Sequence, residues 1–216
     1  MDITKIKPFV VTDFLTEDEY ASIYKTINDA IEQNIADGKD PYDAPFNKLK
    51  TNGFIVYFDN FEKDVLDKFK AGLEDAIGHP INKPGILFCR YSLKSGAHPR
   101  LLPHADRAMK HPAITTTLEL NTSLDWDIYI EHEKFNLKKN EILVFSGSHH
   151  THWRPHTEFS EDDYFDIIIC QSTLSKDDDI ELDEEFFSEM DNKSIKYIHE
   201  YMPLLEKSLG DRGGRQ

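Results

Sequence analysis

Glu141-Ile-Leu-Val-Phe-Ser-Gly-Ser-His-His-Thr-His152-Trp-Arg154, taken with the shorter Leu102-Pro-His-Ala-Asp-Arg107 upstream, decides how this chain is read. The first stretch is an apolar strand that runs into a glycine-containing turn and a cluster of histidines. The second sets an imidazole, His104, and a carboxylate, Asp106, two residues apart, and on an extended chain two such side chains point to one face. One imidazole from a distant strand completes a 2-His-1-carboxylate face around a divalent ion. That face fills three positions of an octahedron and leaves three open, as in a non-haem Fe(II) centre. The downstream cluster supplies the imidazole, with His152 lying 48 residues beyond His104. By spacing alone His149, His150, His152 and His156 all compete for that place.

Around these two stretches the sequence is rich in strands. Ile86 to Leu93, Ala113 to Asn121, Trp126 to His132, Glu141 to Phe145 and Tyr164 to Gln171 are short apolar or β-branched runs separated by polar turns. No helical crossover separates them, which predicts an antiparallel sandwich or barrel rather than a parallel sheet. Ile3 to Val11 reads as an entering strand and Gly53 to Asp59 as another. Thr16 and Glu19 form a capping box, after which Tyr20, Ile23, Tyr24, Ile27, Ala30 and Ile31 recur at helical spacing, so a helix is predicted over 17–35, ending near Gly38. A second amphipathic helix carries Phe61, Val65, Leu66, Phe69, Leu73, Ala76 and Ile77 on one side and stops at Gly78. At the far end, the acidic run through Glu185 reads as a solvated face opening a helix with Phe186, Phe187 and Met190 on its apolar stripe. A final helix is predicted from Ser194 to Leu209 with Ile195, Ile198, Met202 and Leu205 inward. The organisation expected is thus one domain over 1–216, with support helices over about 16–77, a β core over about 85–173 and a helical segment over about 181–209.

Composition narrows the function. With 39% hydrophobic and 30% charged residues the chain is that of an ordinary globular protein. A formal charge of −15 argues against nucleic acid as a partner, since phosphate contact wants a basic surface. No run approaches membrane-spanning length and no apolar leader follows a basic stretch, so no membrane partner is expected. Cys89 and Cys170, each flanked by apolar residues, read as buried thiols, and a reducing, cytoplasmic compartment is the expectation.

The two quoted stretches, together with the entry Phe9-Val-Val-Thr-Asp-Phe-Leu-Thr16, resemble the iron(II)- and 2-oxoglutarate-dependent oxygenase superfamily, in its prolyl-hydroxylase-like branch. The likeness spans most of the chain loosely, and only the two short motifs are specific. It implies a double-stranded β-helix, the cupin-like jelly roll, mainly β with flanking helices. It further implies Fe(II) held by His104, Asp106 and His152, with 2-oxoglutarate and O2 as co-substrates and hydroxylation of an unactivated carbon. The carboxylate ligand favours hydroxylation over halogenation, because it fills the position a halide would need. The substrate class stays open between a peptide side chain, a free amino acid and another small metabolite, as does the oligomeric state.

One departure concerns the co-substrate. Its distal carboxylate needs a cation, ideally the fork of an arginine. The superfamily usually places one about ten residues past the distal histidine, where this chain has Asp162, and no Arg or Lys occurs between Pro155 and Ser175. The candidates are Arg154, from the distal motif, and Arg90, on an apolar strand where a guanidinium needs an anionic partner, with Arg107 behind them. Tyr91 resembles the co-substrate hydrogen-bond donor of the prolyl-hydroxylase-like enzymes, and on a regular strand it faces away from Arg90. Thr115 and Thr117 share a strand face that could reach the cavity, while Trp126, Trp153, Phe88 and Phe145 read as core. Two other classes fit the same residues: a cupin-like isomerase or hydrolase using Mn or Zn, and a non-catalytic jelly roll that works through its surfaces.

Overall fold

A computed structural model describes residues 6–38, 53–57, 63–93, 99, 101–107, 111–175 and 180–201. Ten strands and three helices occur among them: β1 (Phe9–Val11), α1 (Glu17–Ala36), β2 (Gly53–Tyr57), α2 (Lys63–Ile77), β3 (Gly85–Ser92), β4 (Leu101–His104), β5 (Ala113–Thr122), β6 (Ile128–Ile130), β7 (Glu133–Phe135), β8 (Ile142–Ser146), β9 (His152–Arg154), β10 (Tyr164–Thr173) and α3 (Glu184–Glu200). They form a six-stranded sheet in the order β1-β8-β5-β10-β3-β2 and a four-stranded sheet in the order β4-β9-β6-β7. From β3 to β10 the chain passes repeatedly from one sheet to the other, and the strand pairings among the described residues are all antiparallel. This is the double-stranded β-helix, or jelly roll, with helices outside it.

The large sheet is apolar on both faces because it is covered on both. Ile86 and Phe88 of β3, Leu118 and Leu120 of β5, Val144 of β8 and Ile168 of β10 pack with Ile23 and Ile27 of α1 and Phe69 and Leu73 of α2. The alternate residues turn the other way: Cys89 and Tyr91 join Trp126, Phe159, Phe165 and Ile167, and Leu143 and Phe145 join Ile128, Ile130 and Leu137 of the opposite sheet side. Eight consecutive buried positions in β5 follow from this two-sided cover.

Local sequence signals set the helix ends. The Thr16 and Glu19 capping box forms, Glu19 accepting from Thr16 N at 2.7 Å, and α1 and α2 are followed by Gly38 and Gly78 at φ of 70° and 72°. Elsewhere the structure departs from expectation. Trp126 to His132 is not one strand: Glu131, at φ 56°, turns the chain so that β6 and β7 form a hairpin. The acidic helix and the final helix are one, α3, begun by Asp183, whose carboxylate accepts from Phe186 N at 2.8 Å. In that single register Phe187, Met190, Ser194 and Tyr197 are buried and Ile195 is exposed, because 3.6-residue spacing from Met190 passes through Ser194 rather than Ile195. Phe58, Phe61, Met202 and Leu205 lie outside the described residues, as do residues 3–5 of the entering strand. No helix among the described residues is long and apolar enough to cross a membrane.

Candidate metal centre and the interior behind it

His104 closes β4, and its register partner across the small sheet is His152, the first residue of β9. Pairing brings the two rings to 4.3 Å between centroids. Asp106 reaches the same place through the segment after β4, with its Oδ1 3.8 Å from His104 Nε2 and 3.6 Å from His152 Nε2. One ligand atom from each of the three residues falls within 4.8 Å of the others, the size of a metal-binding group.

The tautomers are set by the backbone. His104 Nδ1 lies 2.8 Å from Leu102 O and His152 Nδ1 lies 3.2 Å from His150 O. A carbonyl only accepts, so each Nδ1 donates, and a neutral ring then presents a bare Nε2 lone pair toward Asp106. The carboxylate is oriented too. Thr115 Oγ1 donates to Asp106 Oδ2 at 2.5 Å and Asp106 N donates to Gly147 O at 2.8 Å, which leaves Oδ1 for the two imidazoles. Gly147 is required by this approach: a Cβ there would run into Thr115 Oγ1 and Asp106 Oδ2 and sit 2.7 Å from Thr115 Cβ. Three oriented donors of this kind fit a divalent first-row ion.

The competing histidines are placed differently. His149 Nδ1 bonds the hydroxyls of Ser146 and Ser148, at 3.1 and 2.9 Å, and its ring stands 4.9 Å from that of Phe186 on α3. Burial lowers the pKa of His150, whose buried Nδ1 has no hydrogen-bond partner among the described residues. Neither belongs to the three-residue group, nor does His156.

The three candidate arginines are kept apart. Arg90 points to the helix side of the large sheet, where its Nε and Nη2 each donate at 2.7 Å to Asp166, and Tyr24 of α1 donates to the same carboxylate at 3.2 Å. Burial pushes the Asp166 carboxyl up, and the Arg90 and Tyr24 hydrogen bonds oppose it. Arg107 is half-exposed and ties the segment after Asp106 to α3 through Phe187 O at 3.1 Å and Asp191 at 2.5 Å.

Arg154 alone of the three enters the jelly-roll interior. It is 1% exposed, and its Cζ lies 4.6 Å from the ring centre of Phe165 and 5.2 Å from that of Trp126. Nη1 donates to Trp126 O, whereas Nη2 is buried without a hydrogen-bond partner among the described residues. Burial depresses its pKa, opposed by Tyr91 and Glu119. Tyr91 is buried on the interior face as well, edge-on to Trp126 at 5.0 Å, and burial holds its hydroxyl well above the usual range. Thr117 adds a second buried polar atom, Oγ1, with no partner among the described residues. Strand alternation relates these groups to the three-residue group. Arg154 stands two residues past His152 and Thr117 two past Thr115, so each is about 6–7 Å farther along its strand on the same face.

Two participants carried weak sequence signals. Gly147 lies in a Ser-Gly-Ser turn that gives no hint of how closely Asp106 approaches. Glu119 is the one acid inside Ile114-Thr-Thr-Thr-Leu-Glu-Leu120, and period-two alternation from Thr115 puts it on the interior face.

No protein-family model matches the sequence and no curated protein is similar to it. Solved structures do match. A viral collagen prolyl hydroxylase from Paramecium bursaria Chlorella virus-1, in its 2-oxoglutarate complex, superposes with TM-score 0.55 at 15% identity, covering 80% of this chain and 99% of that one. The chain has the fold of these oxygenases. A Trichoplax adhaerens prolyl hydroxylase in complex with a hypoxia inducible factor peptide gives TM-score 0.53 at 10% identity, over 78% of this chain and 84% of that one. HygX from Streptomyces hygroscopicus, with nickel, 2-oxoglutarate and hygromycin B bound, gives TM-score 0.53 at 9% identity, over 78% and 83%. At these identities the likeness is one of fold, and the site is read from its own residues.

Proposed function

We propose that this chain is an iron(II)- and 2-oxoglutarate-dependent dioxygenase that hydroxylates an unactivated carbon of a small metabolite, amino acid or peptide side chain. The observation that carries the reading is the pairing of an oriented His104, Asp106 and His152 group with two donors that have no partner among the described residues, Arg154 Nη2 and Thr117 Oγ1, one strand step deeper in the same interior. A buried guanidinium with a bare N–H is costly unless an anion meets it. A short dicarboxylate chelating a metal at one end suits that spacing.

His104, Asp106 and His152 would hold the metal. Iron(II), when bound, supplies the coupling of 2-oxoglutarate decarboxylation by O2 to insertion of one oxygen atom into a substrate C–H bond, with succinate and CO2 released. The backbone carbonyls of Leu102 and His150 keep the imidazoles in the ligating tautomer, and Thr115 keeps Asp106 from rotating. Arg154, with Thr117 and Tyr91, would anchor and orient the co-substrate's distal carboxylate. Phe165 and Trp126 around Arg154 keep the dielectric low, which strengthens a charge-assisted anchor there. Two free, buried cysteines and the acidic charge accord with a reducing, cytoplasmic setting without nucleic acid as a partner.

The test is spectroscopic. Anaerobic addition of Fe(II) and 2-oxoglutarate is expected to give a weak visible metal-to-ligand charge-transfer band, lost in His152→Ala and kept in His149→Ala. No band, together with no 2-oxoglutarate binding by calorimetry, would leave the fold and remove the activity.

A further inference from the structure

The interior that receives Arg154 also contains an acid. Glu119 is 4% exposed, and it shares the inner face of β5 with Thr115 and Thr117. Its backbone is fixed at the strand's far end, where Glu119 N donates to Glu141 O at 3.0 Å and Glu119 O accepts from Asn140 N at 2.8 Å. Its carboxyl makes no hydrogen bond or ion pair among the described residues, and it feels its surroundings through burial and through charge alone.

The charged groups that act on it come from three places. Arg154 acts on it electrostatically from β9, Lys138 and Glu141 from the turn before β8, and Asp125 from the connection after β5. Lys138 is already matched by Asp125 at 3.1 Å, on the exposed rim. The facing residue of β10 is Ile167, and Leu143 lies on the inner face of β8, so those elements offer no charge. Asp166 is on the other face, taken by Arg90. Among the described residues Arg154 is therefore the buried cation whose charge acts most on Glu119. The two do not form a contact pair, so neither is committed to the other.

An acid near a guanidinium that is to hold a dianion poses a problem of charge. With Glu119 ionised, Arg154 and Glu119 carry one positive and one negative charge between them and offset each other in the absence of ligand. A dicarboxylate then brings further negative charge into the same low dielectric, where like charges repel strongly. The cheapest relief is a proton on the carboxylate that lacks a committed partner. We propose that Glu119 is the internal counter-ion of Arg154 and gives up that role by taking up a proton when the dianionic co-substrate enters. This rests on the dioxygenase reading above, and it makes co-substrate affinity depend on pH.

Burial pushes the Glu119 carboxyl up to about 7, opposed first by Arg154, so the free chain is poised between the two states near neutrality. A nearby dianion raises it further. Below about pH 7 Glu119 is already neutral and binding needs no proton. Above it, each binding event takes up as much as one proton, and the dissociation constant rises by up to about tenfold per pH unit until the pKa of the complex is reached.

Calorimetric titration of the anaerobic iron(II)-loaded protein with 2-oxoglutarate, between about pH 6 and about pH 8.5 and in two buffers of different ionisation enthalpy, reads both quantities. The parent is expected to show the rising dissociation constant and proton uptake approaching one. Glu119→Gln, which keeps the shape of the protonated acid, is expected to bind with no such pH dependence and no uptake. A parent that binds with a flat profile, or a Glu119→Gln variant that keeps the parent's slope, overturns the inference while the dioxygenase reading stands. A parent that binds no 2-oxoglutarate at any pH overturns both. Should the glutamine variant fail to fold, the parent's two-buffer titration decides alone.

Discussion

Arg90 and Arg154 are both arginines on strands of one jelly roll, and they meet opposite fates. Arg90 lies between the large sheet and α1, where Asp166 grips it with two bonds of 2.7 Å and Tyr24 closes the set. Arg154 lies between the sheets with Nη1 on a carbonyl and Nη2 bare among the described residues. The first charge is matched inside the fold and serves to pin a helix. The second is matched in part and at a distance among the described residues, and under the proposed reading its remaining donor meets the co-substrate. A buried charge with a committed partner reads as structure, and one without reads as a binding site.

Substitutions can break this contrast. The largest effect is expected at Arg90. Arg90→Met strands a carboxylate whose side chain is 0% exposed, and the loss of stability in denaturant unfolding should be about 3–5 kcal/mol at neutral pH. The sign with pH follows from Asp166: without Arg90 its charged form is the one penalised, so the deficit should shrink as pH falls and the carboxyl protonates. A deficit that grows in acid would mean that the Asp166 charge is not its source.

Arg154→Met should behave differently. It removes a desolvated cation whose counter-charge, Glu119, is not hydrogen-bonded to it and can take up a proton, so the loss of stability should be well below that of Arg90→Met. Its cost appears in the titration with 2-oxoglutarate, where about 2 kcal/mol of lost anchoring corresponds to a dissociation constant about thirtyfold higher. If Arg154→Met instead unfolds as readily as Arg90→Met with unchanged co-substrate affinity, the two arginines are both structural and the contrast collapses.

The smallest effect is expected from Thr117→Val, which deletes the other unpartnered donor at nearly constant shape. Folding should not change, and co-substrate affinity should fall about fivefold, or about 1 kcal/mol, measured by the same calorimetry. An unchanged affinity would limit the anchor to Arg154 and Tyr91 and so sharpen the comparison rather than end it.

Much of the fold could be read along the chain. The capping box at Thr16, the glycines at 38 and 78 and the β-branched run at 114–117 act through nearest neighbours, and the structure places the element boundaries where they do. The candidate metal group was legible because His104 and Asp106 sit at period two, although choosing His152 from its neighbours needed a resemblance. Two short strands, β4 and β9, gave no signal, since three or four residues carry no periodicity. Their pairing is what sets His104 beside His152. The arginine question was harder still. Arg90 on its apolar strand demanded an anion, but Asp166 lies 76 residues away and becomes its neighbour only across the β3 and β10 register.

The sequence by itself determined the strand-rich class, the flanking helices and the residue types able to hold a divalent ion, because propensity, capping and period-two alternation are local and survive without a fold. Only the tertiary structure decided which histidine joins the pair, which arginine is already satisfied, why residue 147 has no side chain and where Glu119 stands. Each of those depends on what faces a group from another strand, and desolvation and charge pairing act through space, not along the chain.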